Sequence, residues 1–233
     1  MTSPIRQLPS VPWAHEIVAV AFDMDGLLVN TEDLYSQVGD IVLKRRGRRF
    51  TPELKNRMMG LPASEAFQAM IDHEKLTDSI ATLADESEEI FDGLLESDLQ
   101  VLPGVFELLE KLDSSGAPRC VATSSTPHFA KRVLTLIEAH DRFDFVITAQ
   151  DVENGKPAPD IYLAAAERMG APIESVLVLE DSHHGSQAGA RSGACTIAVP
   201  GDHSRDHDFD HVFAIAESLK DPLIMQNLPL KST

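Results

Sequence analysis

Continuous apolar runs recur along the chain, and each is followed by polar or glycine-rich residues and then by a helical pattern. The runs occupy residues 17–22, 120–123, 145–148, 175–180 and 195–200. Apolar runs without polar alternation are typical of strands buried on both faces, as in a parallel sheet. Helical periodicity between the runs covers residues 127–139, 158–169 and 184–192. This alternation of strand and helix predicts an α/β fold with a doubly wound parallel sheet.

One long interval, from Thr31 to about Gln100, contains no strand-like run. It carries helical patterns rich in Glu, Asp, Ala and Leu, such as SEAFQAMIDHEK and ADESEEIFDGLLES. We therefore predict a helical domain at residues 31–99, inserted into an α/β core formed by residues 1–30 and 100–233. After the insertion, Pro103 and Gly116 mark the start and the end of the next predicted helix.

Composition and charge narrow the possible partners. The 233 residues are 43% hydrophobic, and 20 Lys and Arg against 37 Asp and Glu give a net charge of −17. Such a surface repels nucleic acid and anionic membranes, so neither is an expected partner. The N-terminus has no apolar signal region, no run is long enough to span a bilayer, and Cys120 and Cys195 lie in apolar runs. Two buried thiols and no disulfide framework predict a cytoplasmic protein.

Chemically active side chains follow the predicted strands at their carboxyl ends, where open α/β sheets bind ligands. In chain order these are Asp23, Asp25, Thr123, Ser124, Lys156, Glu180 and Asp181. Four carboxylates at one edge of a sheet repel each other unless a cation joins them, and hard oxygen ligands favour Mg²⁺. A calcium loop of the EF-hand type is excluded, because Leu28 and Leu34 occupy the positions that need Gly and Glu.

The same residues suggest a reaction. A carboxylate such as Asp23 can attack phosphorus and form an aspartyl-phosphate, and Asp25, two residues later, can move the proton. The charge of the transferring phosphoryl group has to be offset by a cation and by donors, which Thr123 and Lys156 supply. The expected partner is therefore a small phosphorylated metabolite, with Mg²⁺ as the cofactor.

The set DMDGLL, VATSS, GKPAPD and LEDSHHG resembles the four motifs of the haloacid dehalogenase superfamily, in its phosphatase-like branch. The helical insertion is similar to the small helical cap of that superfamily. The resemblance implies that Asp23 is the nucleophile and a metal ligand. It also implies that Asp25 is the general acid and base and offers its backbone carbonyl to the metal. Dehalogenases of the superfamily lack the second aspartate, so Asp25 argues against dehalogenation.

The remaining motifs carry further implied roles. By resemblance, Thr123 and Ser124 bind the phosphoryl group and Lys156 neutralises it. Asp181 is then a direct metal ligand, and Glu180 acts on the metal through water. We expect a Mg²⁺-dependent phosphatase that hydrolyses a small-metabolite phosphomonoester, such as a sugar phosphate or a nucleotide-like compound.

Two alternatives stay open, a β-phosphoglucomutase-like phosphomutase and a catalytically silent binding or regulatory module on the same fold. At the positions where the mutases hold a second phosphate, this chain carries Tyr35, Ala63, Thr126 and Pro127. The stretches DMDGLLVNTEDLYS and MMGLPASEAFQAMID look more like those of pseudouridine 5′-phosphatases. Five intact catalytic-type residues argue against a silent module.

Three polar segments are interpreted without a function. We expect no zinc site at His183 and His184, because no other nitrogen or sulfur ligand has zinc-like spacing nearby. Residues 202–211 are interpreted as a solvated loop, and the basic cluster at residues 45–49 as an exposed helix end in the cap. A monomer is compatible with the sequence, which leaves the oligomeric state open.

Overall fold

A computed structural model of the chain describes residues 12–58, 61, 63–226 and 228. Most of the N-terminal segment without a signal region, and Met59, Gly60 and Pro62 of the cap stretch, lie outside the described residues. The chain forms two compact units, one made of Met1–Asn30 and Gln100–Thr233 and the other of Thr31–Leu99.

The first unit is built on a parallel sheet, which confirms the predicted fold class. Its strands are β1 (Ala19–Phe22), β2 (Arg119–Thr123), β3 (Phe145–Thr148), β4 (Val176–Glu180), β5 (Cys195–Ala198) and β6 (Ala214–Ile215). Within the described residues they form one sheet in the order β3-β2-β1-β4-β5-β6. The first five strands lie at the predicted apolar runs. β6 was not predicted, because two residues are too few to show a pattern.

β1 lies at the centre of the sheet, between β2 and β4. Phe22 at its end is in register with Val121 of β2 and Leu179 of β4. All four residues of β1 are buried, as their continuous apolar character requires. The segments that follow β1, β2 and β4 therefore leave the sheet side by side at one edge.

The second unit is made of helices. In the first unit, other helices pack against the sheet. The second unit contains α1 (Thr31–Arg45), α2 (Pro52–Met58), α3 (Ala63–Glu74) and α4 (Ile80–Ser97). The first contains α5 (Val105–Ser115), α6 (Pro127–Leu136), α7 (Asp160–Met169), α8 (His183–Ser192) and α9 (Pro222–Gln226). Gly116 ends α5 as predicted, with φ +68°. α6 ends three residues earlier than predicted, because Glu138 has a left-handed backbone with φ +55°.

The second unit has a core of its own. α1 packs against α4, and each of these helices buries one apolar stripe. Arg46, directly after the end of α1, donates to Asp78 at 2.8 Å and to Glu86 at 2.6 Å. The prediction of an exposed basic helix end is wrong for Arg46, because these two acidic side chains hold it against the unit. It is correct for Arg45, whose side chain is 57% exposed.

The two cysteines lie in different strands of the sheet, Cys120 in β2 and Cys195 in β5, with β1 and β4 between them. Both are free and buried. Burial raises the pKa of each thiol to about 12, so both stay protonated at neutral pH. The prediction of two buried thiols is confirmed.

Across the described residues, none of the helices combines the length and the apolarity that a membrane crossing requires.

Candidate active site

The turn after β1 places Asp23 and Asp25 at the edge of the sheet. The Asp23 N–H donates to the Leu179 carbonyl at 3.0 Å, which extends the pairing of β1 with β4 by one residue. Gly26 then reverses the chain with φ +80°, a conformation that glycine adopts without strain. A Cβ atom at Gly26 would also lie 2.4 Å from Oδ2 of Asp181. Glycine is therefore required here for both conformation and space.

Lys156 joins three groups at this edge. Its Nζ donates to Asp23 Oδ1 at 2.5 Å, to Glu180 Oε1 at 2.7 Å and to the Ala122 carbonyl at 2.9 Å. These bonds use all three ammonium protons, and the side chain is only 6% exposed. Burial alone would lower the pKa of the ammonium, but the charges of Asp23 and Glu180 raise it well above its ordinary value. Lys156 is thus a fixed positive charge.

Glu180 is saturated with hydrogen bonds. Its Oε1 accepts from Lys156 and from the hydroxyl of Tyr162, the latter at 2.8 Å. Its Oε2 accepts from the backbone N–H of Asp181 at 3.1 Å, and from the N–H and Oγ of Ser182 at 3.2 and 3.0 Å. A carboxylate held by five donors has a defined orientation. In the first unit, Glu180 therefore holds the Lys156 ammonium in a fixed position.

Two residues around Glu180 were not identified from the sequence. Tyr162 lies on the buried face of α7, where an aromatic residue is ordinarily read as core. Burial and the Glu180 charge raise the pKa of its phenol well above the ordinary value, so it remains a donor. Gly185 of α8 passes so close that a Cβ atom there would lie 1.7 Å from Glu180 Oε1. The only sequence signal for either residue is its proximity to a recognised motif.

Asp25 is held by the loop that follows β2. Its Oδ2 accepts from Ser125 Oγ at 2.8 Å and from Thr123 Oγ1 at 3.2 Å, and Thr123 Oγ1 accepts from the Ser125 N–H at 3.0 Å. The Ser124 side chain is exposed at the same turn. Ser125 was not predicted as a site residue, although it is the last residue of the VATSS motif.

Asp23, Glu180 and Asp181 form a compact acidic group. Each is buried, and each offers one oxygen atom that lies within 4.8 Å of the others. Burial raises the pKa of the Asp23 carboxyl well above its ordinary value, and the charge of Glu180 adds to this, whereas Lys156 opposes it. A divalent cation would remove the cost of gathering these charges. The three carboxylates fit a hard cation such as Mg²⁺.

The polar loop at residues 202–211 departs in part from its predicted solvated character. Asp202, Arg205 and Asp208 are exposed as expected. The prediction is wrong for His203, whose Nε2 lies 2.7 Å from Oδ2 of Asp181, and for Phe209, which is buried. Because most residues of the loop are polar or charged, the sequence did not indicate that these two side chains point inward.

His183 and His184 lie at the start of α8. Nδ1 of His183 lies 2.6 Å from the Asp208 carbonyl, and the two rings stand edge to face with centroids 5.6 Å apart. In the described part of the chain, neither belongs to a group of side chains with metal-ligand spacing. The expectation that they form no zinc site stays a prediction.

Comparisons with known proteins show which family the chain resembles. The model of the haloacid dehalogenase-like hydrolase family matches residues 20–199. The (DL)-glycerol-3-phosphatase 1, mitochondrial, of Arabidopsis thaliana is 37% identical over 193 residues, which are 79% of this chain. The chain spans 64% of that protein's length. A Drosophila melanogaster protein named probable pseudouridine-5′-phosphatase is 32% identical over 212 residues, covering 88% of this chain and 91% of that protein.

A solved structure extends the comparison to three dimensions. A crystal structure from Thermotoga maritima, named as a candidate β-phosphoglucomutase, superimposes with a TM-score of 0.79 at 28% identity. The match covers 91% of this chain and 100% of that one. The resemblance stated from the four motifs is confirmed, as is the prediction of a hydrolase. The chain belongs to the haloacid dehalogenase-like hydrolase family.

Proposed function

We propose that the chain is a Mg²⁺-dependent phosphatase that hydrolyses a phosphomonoester of a small metabolite through an aspartyl-phosphate on Asp23. The observation that carries this proposal is the 2.5 Å contact between Lys156 Nζ and Asp23 Oδ1. It places a fixed positive charge beside a buried carboxylate, where the charge of a phosphoryl group would have to be offset. Two relatives named for glycerol phosphate and pseudouridine phosphate support sugar phosphates and nucleotide-like compounds as substrates.

In the first step a carboxylate oxygen of Asp23 attacks phosphorus, and the bond from phosphorus to the ester oxygen breaks. Asp25 gives its proton to the departing oxygen, so the alcohol leaves neutral. Lys156 offsets the charge on the phosphoryl oxygens, and the Ser124 hydroxyl donates to them. The Thr123 hydroxyl, whose one proton goes to Asp25 in the free site, turns that proton to the phosphoryl group when the substrate binds. Ser125 holds the Asp25 carboxyl at 2.8 Å and so keeps the proton donor in place.

In the second step water attacks the same phosphorus atom. The carboxylate of Asp25 takes a proton from the water, and the bond between phosphorus and the Asp23 oxygen breaks. Inorganic phosphate leaves, Asp23 is again a carboxylate and Asp25 again carries a proton. The two steps therefore consume one ester and one water and leave the protein unchanged.

The residues proposed to hold Mg²⁺ are Asp23 and Asp181 through their carboxylates and Asp25 through its backbone carbonyl. Glu180 would act through water, because the protein's own donors already occupy both of its oxygens. When bound, the cation neutralises the acidic group and the phosphate of the substrate. This matters for a chain with a net charge of −17, which would otherwise repel an anionic substrate.

The test is phosphate release from a panel of sugar, nucleoside and glycerol phosphates, with Mg²⁺ or with excess EDTA. We expect at least one substrate to be hydrolysed with Mg²⁺ and none with EDTA. Asp23→Asn keeps the shape of the side chain and removes the nucleophile, so turnover should fall by at least about 1,000-fold. Asp141→Asn is the matched control, because the Asp141 side chain is fully solvent-exposed. Asp23→Asn protein with wild-type rates would exclude the aspartyl-phosphate mechanism.

A phosphomutase remains the second candidate, since the Thermotoga maritima structure is named for that activity. Two of the positions compared with the mutases are engaged in a helix cap here. Thr126 caps α6 by accepting from the Phe129 N–H at 3.3 Å, and Pro127 is the first residue of that helix. In the second unit, Ala63 is an exposed first residue of α3 and adds no charge. These positions offer no cation for a second phosphate, which favours hydrolysis.

A coupled assay separates the two activities. β-Glucose 1-phosphate with a bisphosphate primer should give little glucose 6-phosphate, while a small phosphomonoester gives steady phosphate release. Efficient conversion with little free phosphate would instead establish the mutase. A protein without either activity would support the silent module. A cytoplasmic location stays a prediction.

A further inference from the structure

We propose that His203 is a positioning residue that sets the orientation of the Asp181 carboxylate, and thereby the affinity of the acidic group for Mg²⁺. This inference rests on the proposed metal site. His203 belongs to the polar loop after β5, which the sequence presents as a solvated connection, and no motif of the family resemblance includes it.

The contact between the two side chains is short and buried. His203 Nε2 lies 2.7 Å from Asp181 Oδ2, and the side chains are 12% and 4% exposed. A carboxylate can only accept, so the imidazole carries a proton on Nε2 and donates it. A charge-assisted bond of this kind is stronger than one between neutral groups, and little water competes for it at this burial.

The turn that carries the nucleophile packs against this pair. A Cβ atom at Gly26 would lie 2.4 Å from Asp181 Oδ2 and 2.9 Å from Nε2 of His203. The imidazole and the carboxylate are therefore confined between the polar loop and the turn that bears Asp23 and Asp25. Through Asp181, His203 ties the loop after β5 to the centre of the site.

His203 contacts the acidic group from outside. In the described part of the chain, the side chains whose potential ligand atoms all lie within 4.8 Å of one another are those of Asp23, Glu180 and Asp181. The imidazole is not in that group, so it acts on a cation through Asp181 and not as a nitrogen ligand. The terminal torsion of an aspartate is broad, and a hydrogen bond to one oxygen restricts it. Loss of such an outer partner typically lowers metal affinity about 10- to 100-fold.

The experiment is calorimetric titration of MgCl₂ into the full chain without substrate, which reads metal binding independently of turnover. His203→Phe keeps a ring and removes the donor, whereas His203→Gln keeps a side-chain N–H. We expect the dissociation constant for Mg²⁺ to rise at least about 10-fold in His203→Phe and less than about 3-fold in His203→Gln. His140→Phe is the control, because His140 pairs with the exposed Asp141 and neither residue belongs to the acidic group.

Kinetics give a second readout. The Mg²⁺ concentration for half-maximal phosphate release should rise in parallel in His203→Phe, while kcat at saturating Mg²⁺ stays within a few-fold of wild type. If His203→Phe does not fold, His203→Ala serves in the same titration. Wild-type affinity in the donor-less variant overturns the inference and leaves the proposed function standing. An equal loss of Mg²⁺ affinity in His203→Phe and His203→Gln also overturns it, because the N–H donor that glutamine retains would then have no effect. A wild-type protein that binds no Mg²⁺ overturns the proposed metal site itself.

Discussion

Tyr162→Phe removes one buried hydroxyl and leaves the ring that fills the core. The lost atom donates to Glu180 Oε1 at 2.8 Å, and both side chains are fully buried. A hydrogen bond to a charged acceptor contributes about 1.5–3 kcal/mol. Glu180 retains four other donors, including Lys156 at 2.7 Å on the same oxygen, so we expect the lower half of that range, about 2 kcal/mol.

That loss should lower the melting temperature by about 4–8 °C for a domain of this size. Thermal unfolding followed by circular dichroism measures it. A double-mutant cycle with Glu180→Gln measures how much of the hydrogen-bond energy depends on the charge of Glu180. In the Glu180→Gln background the tyrosine faces a neutral acceptor, and such a bond contributes about 1 kcal/mol. The cycle should therefore show a coupling of about 1 kcal/mol. An unchanged melting temperature in Tyr162→Phe would refute the assignment of Tyr162 as an anchor of Glu180.

Three further results are expected. Lys156→Met leaves Asp23 and Glu180 buried without their shared cation, and should cost about 3 kcal/mol in urea unfolding and abolish phosphate release. Gly26→Ala imposes φ +80° on a residue with a Cβ atom and displaces Asp181, so we expect about 1–2 kcal/mol of lost stability and a higher Mg²⁺ concentration for half-maximal phosphate release. In the second unit, the hydrogen bonds from Arg46 lower the carboxyl pKa values of Asp78 and Glu86 below their ordinary 3.8 and 4.5. Their stabilisation is therefore present above those values and lost as the pH falls below them, so the melting temperatures of wild type and Arg46→Met should differ at pH 7 and converge in acid.

The positions of the strands and the grouping of the candidate site residues could be predicted because both depend on local sequence patterns. A strand buried on both faces has to be continuously apolar, so β1 through β5 could be located from the apolar runs of the sequence. Parallel strands bring their carboxyl ends to one edge, so Asp23, Thr123 and Asp181 could be placed together without coordinates. β6 and the early end of α6 left no comparable mark, since they depend on two residues and on one left-handed backbone.

Tertiary structure decided which side chains support the site. Lys156, Glu180 and Asp25 were found from their motifs, but their hydrogen-bond partners Tyr162 and Ser125 were not. His203 lies 22 residues from Asp181 in a loop that its composition assigns to solvent. The physical reason is that periodicity reports which face of an element is buried, whereas a hydrogen bond between distant segments depends on how those elements pack. Each of these three residues is typical of a core or loop position, and only its neighbour in space gives it a role.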